Sequence, residues 1–143
     1  MPAKINFFAE ETDFKLKNKK LLRTWVEQTL LAEKRILKEI NFIFCNDAYL
    51  LKINQEYLQH DTYTDIITFD NSETTEEIVS DIFISVERAA ENALSFQTPF
   101  LQELHRVMIH GVLHLAGYKD KSAKDVKTMR SKENFYLSSL GPV

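Results

Sequence analysis

His110 and His114 stand four residues apart in a stretch of helical apolar spacing, so their imidazoles project from one helix face about 6 Å apart. Two rings so placed can share one metal ion at about 2.0–2.1 Å from each nitrogen. Packed core histidines adopt the same spacing, so the pair alone decides little. Gly117 follows His114 by three residues, and Asp120 follows Gly117 by three. A glycine there can take positive φ, end the helix and fold the chain back. Asp120 is thereby expected to offer a carboxylate as a third ligand, leaving a fourth position open for water, as in catalytic zinc sites. The pattern follows the metzincin layout with Asp in place of the last His. Those proteases carry a glutamate after the first histidine as general base. Here that residue is Gly111, which cannot move a proton, so peptide hydrolysis by that route is disfavoured. A helical glycine also costs about 1 kcal/mol relative to alanine, which implies close approach by another element or by substrate.

The elements that must hold these residues alternate along the chain. Ile5–Ala9 reads as a strand, and Leu21, Leu22, Trp25, Val26, Thr29 and Leu30 mark a helix from about Asn18 to Arg35. Ile40, Phe42 and Phe44 mark a strand buried on both faces, after which Asn46 can cap a helix with Leu50, Leu51, Ile53, Tyr57 and Leu58 inward. Ile66–Phe69 and Ile78–Ser85 read as strands around an acidic loop at 70–77, with Ile82 and Ile84 on one face and Phe83 on the other. Ser85 can cap a helix through Phe96, Thr98-Pro99 opens the helix that carries the histidines, and Ser122 with Asp125 forms a capping box for a last helix to about Leu140. The expected class is α+β, close to α/β: a single domain over 1–143 with a small mixed sheet of about four strands covered by about five helices.

Composition excludes several classes. Cys45 is the only cysteine, so neither an internal disulfide nor a cysteine metal knot can form, and it reads as an inert core thiol in a reducing cytoplasm. No apolar run approaches the roughly 20 residues that span a bilayer, and Met1-Pro2-Ala3-Lys4 does not open like a signal peptide. The net charge of −3 gives no bulk attraction for nucleic acid, but the basic residues are clustered. Lys15, Lys17, Lys19, Lys20 and Arg23 fall together without an acid, and residues 119–132 hold six basic side chains against Asp120 and Asp125. These segments read as solvated helix faces or as phosphate contacts. His60 and His105 read as ordinary surface or packed residues, and Trp25 and the phenylalanines as core.

The segment His110-Gly111-Val112-Leu113-His114-Leu115-Ala116-Gly117-Tyr118 closely resembles the H-G-x-L-H-L-x-G-Y-D-H signature of the YbeY family, bacterial metal-dependent endoribonucleases and rRNA maturation factors. Asn54, Tyr57, Asp61 and Thr64-Asp65-Ile66-Ile67-Thr68-Phe69 are similar to a second family block, and Asp81-Ile82-Phe83-Ile84-Ser85 to a third. Met129 and Glu133 are compatible with the family's last helix. The resemblance implies a cytoplasmic hydrolase that cuts single-stranded RNA in 16S rRNA 3′-end maturation and ribosome quality control. It implies a zinc ion held by His110, His114 and Asp120, with nickel or another divalent metal as an alternative, and ribosomal RNA and small-subunit proteins as partners. Catalysis falls to His114, with Asp65 and Asp61 as candidates for proton transfer or for fixing the loop before the strand. Two positions depart from the pattern. The family's third histidine is Asp120 here, after Lys119, and its arginine following the tyrosine is Leu58. Arg106, one turn before His110, is a candidate replacement for that positive charge, or else an ordinary surface arginine. The competing readings are a non-catalytic ribosome-assembly factor with a structural metal and, opposed by Gly111, a metalloprotease.

Overall fold

The computed structural model describes residues 4–58 and 64–141, so Asp61 and His60 lie outside the described residues. Nine elements follow in the order β1 (Ile5–Glu10), α1 (Lys19–Ala32), β2 (Ile36–Cys45), α2 (Asp47–Leu58), β3 (Ile66–Asp70), β4 (Glu77–Ser85), α3 (Val86–Phe96), α4 (Phe100–Leu115) and α5 (Ala123–Leu140). The sheet order is β1-β2-β4-β3, with β1, β2 and β4 parallel and β3 antiparallel at one edge. This is the mixed four-stranded α+β domain that the alternating pattern implies.

Period-2 alternation divides the sheet into two faces. Phe42, Phe44, Ile82 and Ile84 join the main core with α1, α4 and α5, whereas Cys45, Ile67 and Phe83 pack with Leu50 of α2 on the other side. Burial pushes the Cys45 thiol up to about 12, which makes it unreactive at neutral pH. Three side-chain caps occur where the sequence places them: Asn46 Oδ1 accepts from Tyr49 N (2.7 Å), Ser85 Oγ from Arg88 N (3.1 Å), and Ser122 and Asp125 form a reciprocal box.

Two features differ from the sequence reading. Helix α1 ends at Ala32 rather than near Arg35, because Lys34 turns left-handed (φ 61°) and the Lys34 and Arg35 amides return to the Leu31 and Leu30 carbonyls. That is a Schellman turn with lysine in glycine's usual place, so no glycine marks it. In α2, Tyr57 and Leu58 are exposed: Tyr57 meets Phe69 of β3 only edge-on at 6.0 Å, and Leu58 lines a cavity open to solvent.

Helix α4 is the central helix of the main core. Its His105 is 2% exposed and meets Trp25 edge-on at 6.1 Å. Desolvation lowers the imidazole pKa to about 4. In the unfolded chain the ring protonates near 6.5, so between those values the unfolded state holds more protons. The contribution is complete above about pH 6.5 and is lost as the pH falls through about 4, a total of roughly 3 kcal/mol. Urea unfolding at pH 7, 5.5 and 4 should show this loss, and a His105→Phe protein should show a correspondingly flatter profile.

Candidate active site

Gly111 lets α4 lie directly on the sheet. A Cβ there would stand 2.9 Å from Ile66 Cδ1 on β3 and 3.4 Å from Ile82 on β4. The close neighbour that the glycine implied is therefore another element, and this contact sets the His110–His114 face beside the β3 edge. The two rings are stacked with centroids 5.9 Å apart and planes 20° apart.

Each ring is fixed through Nδ1. His110 Nδ1 lies 2.7 Å from Glu133 Oε2 on α5, and His114 Nδ1 lies 2.8 Å from the Tyr118 carbonyl oxygen. A carbonyl oxygen only accepts, and so does an ionised carboxylate, so both Nδ1 atoms carry a proton and Nε2 is the nitrogen each ring turns to a ligand. The Tyr118 carbonyl is brought back by a second Schellman turn. Gly117 (φ 112°) donates to His114 O at 3.1 Å, and Tyr118 N donates to Leu113 O at 3.1 Å. A Gly117→Ala protein is expected to lose about 1–3 kcal/mol, because a Cβ strains that backbone. Thermal unfolding measures the loss, and imidazole 15N NMR should show the His114 Nδ1 hydrogen bond weakened.

Beyond this turn Asp120 Oδ2 reaches 3.3 Å from His110 Nε2. Two atoms bound to one tetrahedral zinc at about 2.0–2.1 Å are separated by about 3.3–3.4 Å, so this pair already has ligand spacing. His110, His114 and Asp120 line one cavity of about 440 Å3 together with Leu58 and Asp65. Among the described residues, no three His, Cys, Asp or Glu side chains converge tightly enough to cage an ion as they stand. The donor set suits zinc in its chemistry and in the spacing of its first pair, while His114 occupies the same wall without closing on Asp120.

Glu133, which the sequence places only in the last helix, is a site residue. It is buried, and its Oε1 also accepts from Arg106 Nη1 at 2.9 Å. Burial raises its pKa, but the hydrogen bonds from His110 and Arg106 prevail and hold it below the usual carboxylate range. For His110, burial lowers the pKa, while the Glu133 hydrogen bond and charge, with Asp120 and Asp65 beyond, outweigh that and raise it. The signal was available in α5, where Met129, Glu133 and Tyr136 form a buried i, i+4, i+7 stripe with an acid in the middle. Arg106 is only 15% exposed at its side chain and is committed to Glu133 and Asn134 (2.8 Å), so it acts as a brace rather than as a free surface charge.

Asp65 also borders the site. Its Oδ2 accepts from Asn92 Nδ2 of α3 at 3.3 Å, and its carbonyl accepts from Ser85 N at 2.9 Å. Asp65 thus both secures the start of β3 and faces the cavity. The turn carrying Asp120 is anchored by Tyr118, whose hydroxyl donates to Glu33 Oε1 at 2.8 Å. Tyr136 donates to the other Glu33 oxygen. Of the two basic segments, the one at 119–132 borders the site through Asp120 and Arg130. In the other, Arg23 is spent on the Ile5 carbonyl (3.0 Å) and the face of Phe7.

Comparison with known proteins agrees with this geometry. The family model described as "Endoribonuclease YbeY" matches residues 4–141. An endoribonuclease YbeY of Cytophaga hutchinsonii is 49% identical, over 94% of this chain and 94% of that protein. One from Flavobacterium psychrophilum is 54% identical, over 89% and 90% respectively. A solution structure from Thermotoga maritima superposes with a TM-score of 0.66 at 29% identity, covering 95% of this chain and 88% of that one. A match that runs through all nine elements and both halves of the site leaves one assignment: this chain belongs to the YbeY endoribonuclease family.

Proposed function

We propose that the chain is a metal-dependent endoribonuclease that cuts single-stranded RNA at an ion held by His110, His114 and Asp120, and that it acts in the cytoplasm on the 3′ end of 16S rRNA and in ribosome quality control. The observation that carries this reading is the pair of imidazoles fixed at Nδ1, with a carboxylate 3.3 Å from Nε2 of His110, in a cavity open to solvent. A zinc ion held there by His110, His114 and Asp120 would supply Lewis acidity toward a phosphoryl oxygen or a water. The protein's own groups supply the rest. Asp65, held at Oδ2 by Asn92, keeps Oδ1 available to take the proton of the attacking oxygen, whether from water or from a ribose 2′-hydroxyl. Arg130, with its side chain 53% exposed beside the site, and the lysines of 119–127 hold flanking phosphates. RNA affinity should therefore fall steeply as salt rises.

Leu58 lines the same cavity at the position where the family pattern carries arginine. This favours a second reading, a ribosome-assembly factor in which the metal serves structure. Cleavage of an end-labelled single-stranded RNA separates the two. Protein stripped by a chelator should be inactive and should regain activity on addition of zinc. Zinc-loaded protein that leaves the RNA intact would remove the nuclease reading and leave the assembly role.

A further inference from the structure

Glu103 lies two turns before His110 on the same helix and is 5% exposed, yet among the described residues its carboxylate makes no hydrogen bond and no ion pair. Among the described residues the buried side-chain atoms without a partner are Arg35 Nε and Thr98 Oγ1, so the Glu103 oxygens keep contact with solvent through the cavity they line and are open to a donor that enters it. Glu103 lines a second cavity of about 350 Å3 that shares Asp65, His110 and Asp120 with the metal-site cavity. Burial raises the Glu103 pKa, with Arg106 and Arg130 pulling the other way, which agrees with a carboxyl that lacks its own donor.

The remaining walls indicate what enters. Phe96 and Val126 are exposed apolar side chains, 56% and 50%, and together with Met129 they give the cavity an apolar surface suited to a flat ring. Arg130 stands at the rim, and its nearest acid, Glu133 Oε1, is 3.8 Å away and already occupied by Arg106. Its guanidinium can thus take the phosphate attached to such a ring.

We propose that this cavity is a base-recognition subsite, in which Glu103 determines specificity by accepting the paired N–H donors of a guanine next to the scissile phosphate. Guanine's Watson–Crick edge carries a ring N–H beside an amino group, so it satisfies both oxygens of one carboxylate. Uracil offers one N–H between two carbonyls, which repel it. The proposal rests on the RNA-cleaving reading of the neighbouring site.

The test has two arms. In the first, GMP and UMP are titrated into the unaltered full chain and into Glu103→Gln, with binding followed by calorimetry. GMP should bind the unaltered chain at least tenfold more tightly than UMP, and Glu103→Gln should bring the two within about twofold. In the second, cleavage is compared between single-stranded RNAs that carry G or U beside the cut. The ratio of their kcat/KM values should exceed ten and should collapse in the variant. Equal binding of GMP and UMP by the unaltered chain overturns the proposal even if the variant does not fold, as does a preference that survives in Glu103→Gln. GMP selectivity without RNA cleavage would retain the subsite and remove the nuclease reading. Cleavage indifferent to the flanking base would do the reverse.

Discussion

Replacing His114 with alanine is expected to lower kcat/KM for single-stranded RNA by on the order of 10³, about 4 kcal/mol of transition-state stabilisation. Stability should barely change. The ring is exposed, and its one hydrogen bond is to the Tyr118 carbonyl, which can turn to water. A net loss of about 1 kcal/mol or less follows. Large loss of activity with small loss of stability is the signature of a ring that works on the reaction and not on the core. Steady-state cleavage assays beside urea titrations measure both on the same preparation. A variant that keeps its activity, or that loses activity only in proportion to unfolding, contradicts the role given to His114.

Glu133 should behave in the opposite way, damaging fold and site together. Its carboxylate is buried and receives hydrogen bonds from His110 and Arg106, so Glu133→Ala takes one charged acceptor from the guanidinium and from the imidazole together. Breaking a buried pair from one side costs about 3–5 kcal/mol. Glu133→Gln keeps the shape and one acceptor oxygen. It should cost less stability but still weaken metal binding or cleavage by about 10–100-fold, because the proton on His110 Nδ1 is no longer held by a charge. Since Glu133 is held below the usual carboxylate range, its contribution is complete above pH about 4.5 and is lost as the pH falls through its folded-state value. The stability gap between the wild type and Glu133→Gln should therefore be full near pH 7 and narrow as the solution is acidified below about pH 4.5, which urea unfolding across that range measures.

Much of this was legible from the residues because the signals are local. Periodicity placed the strands and helices, and Asn46, Ser85 and Ser122 marked helix starts through side chains that bond within three residues. The end of α1 was hidden, since Lys34 takes a left-handed conformation that sequence ascribes to glycine. The spacing of His110, His114 and Gly117 outlined the site for the same local reason. Contacts between distant segments could not be read in this way. The 23 residues separating His110 from Glu133, and the 27 separating Arg106 from the same carboxylate, carry no pattern that foretells the pairing. Leu58 shows the converse case. Its apolar character suggested the inward face of a helix, whereas the helix end overhangs the cavity and exposes it.

The most direct measurement is the zinc content of the purified protein and of its Asp120→Ala form, by native mass spectrometry with increasing zinc. One ion per unaltered chain is expected, with a weaker complex when the carboxylate is gone. An unaltered chain that takes up no zinc, or an alanine form that holds it equally well, contradicts an ion shared by two imidazoles and Asp120.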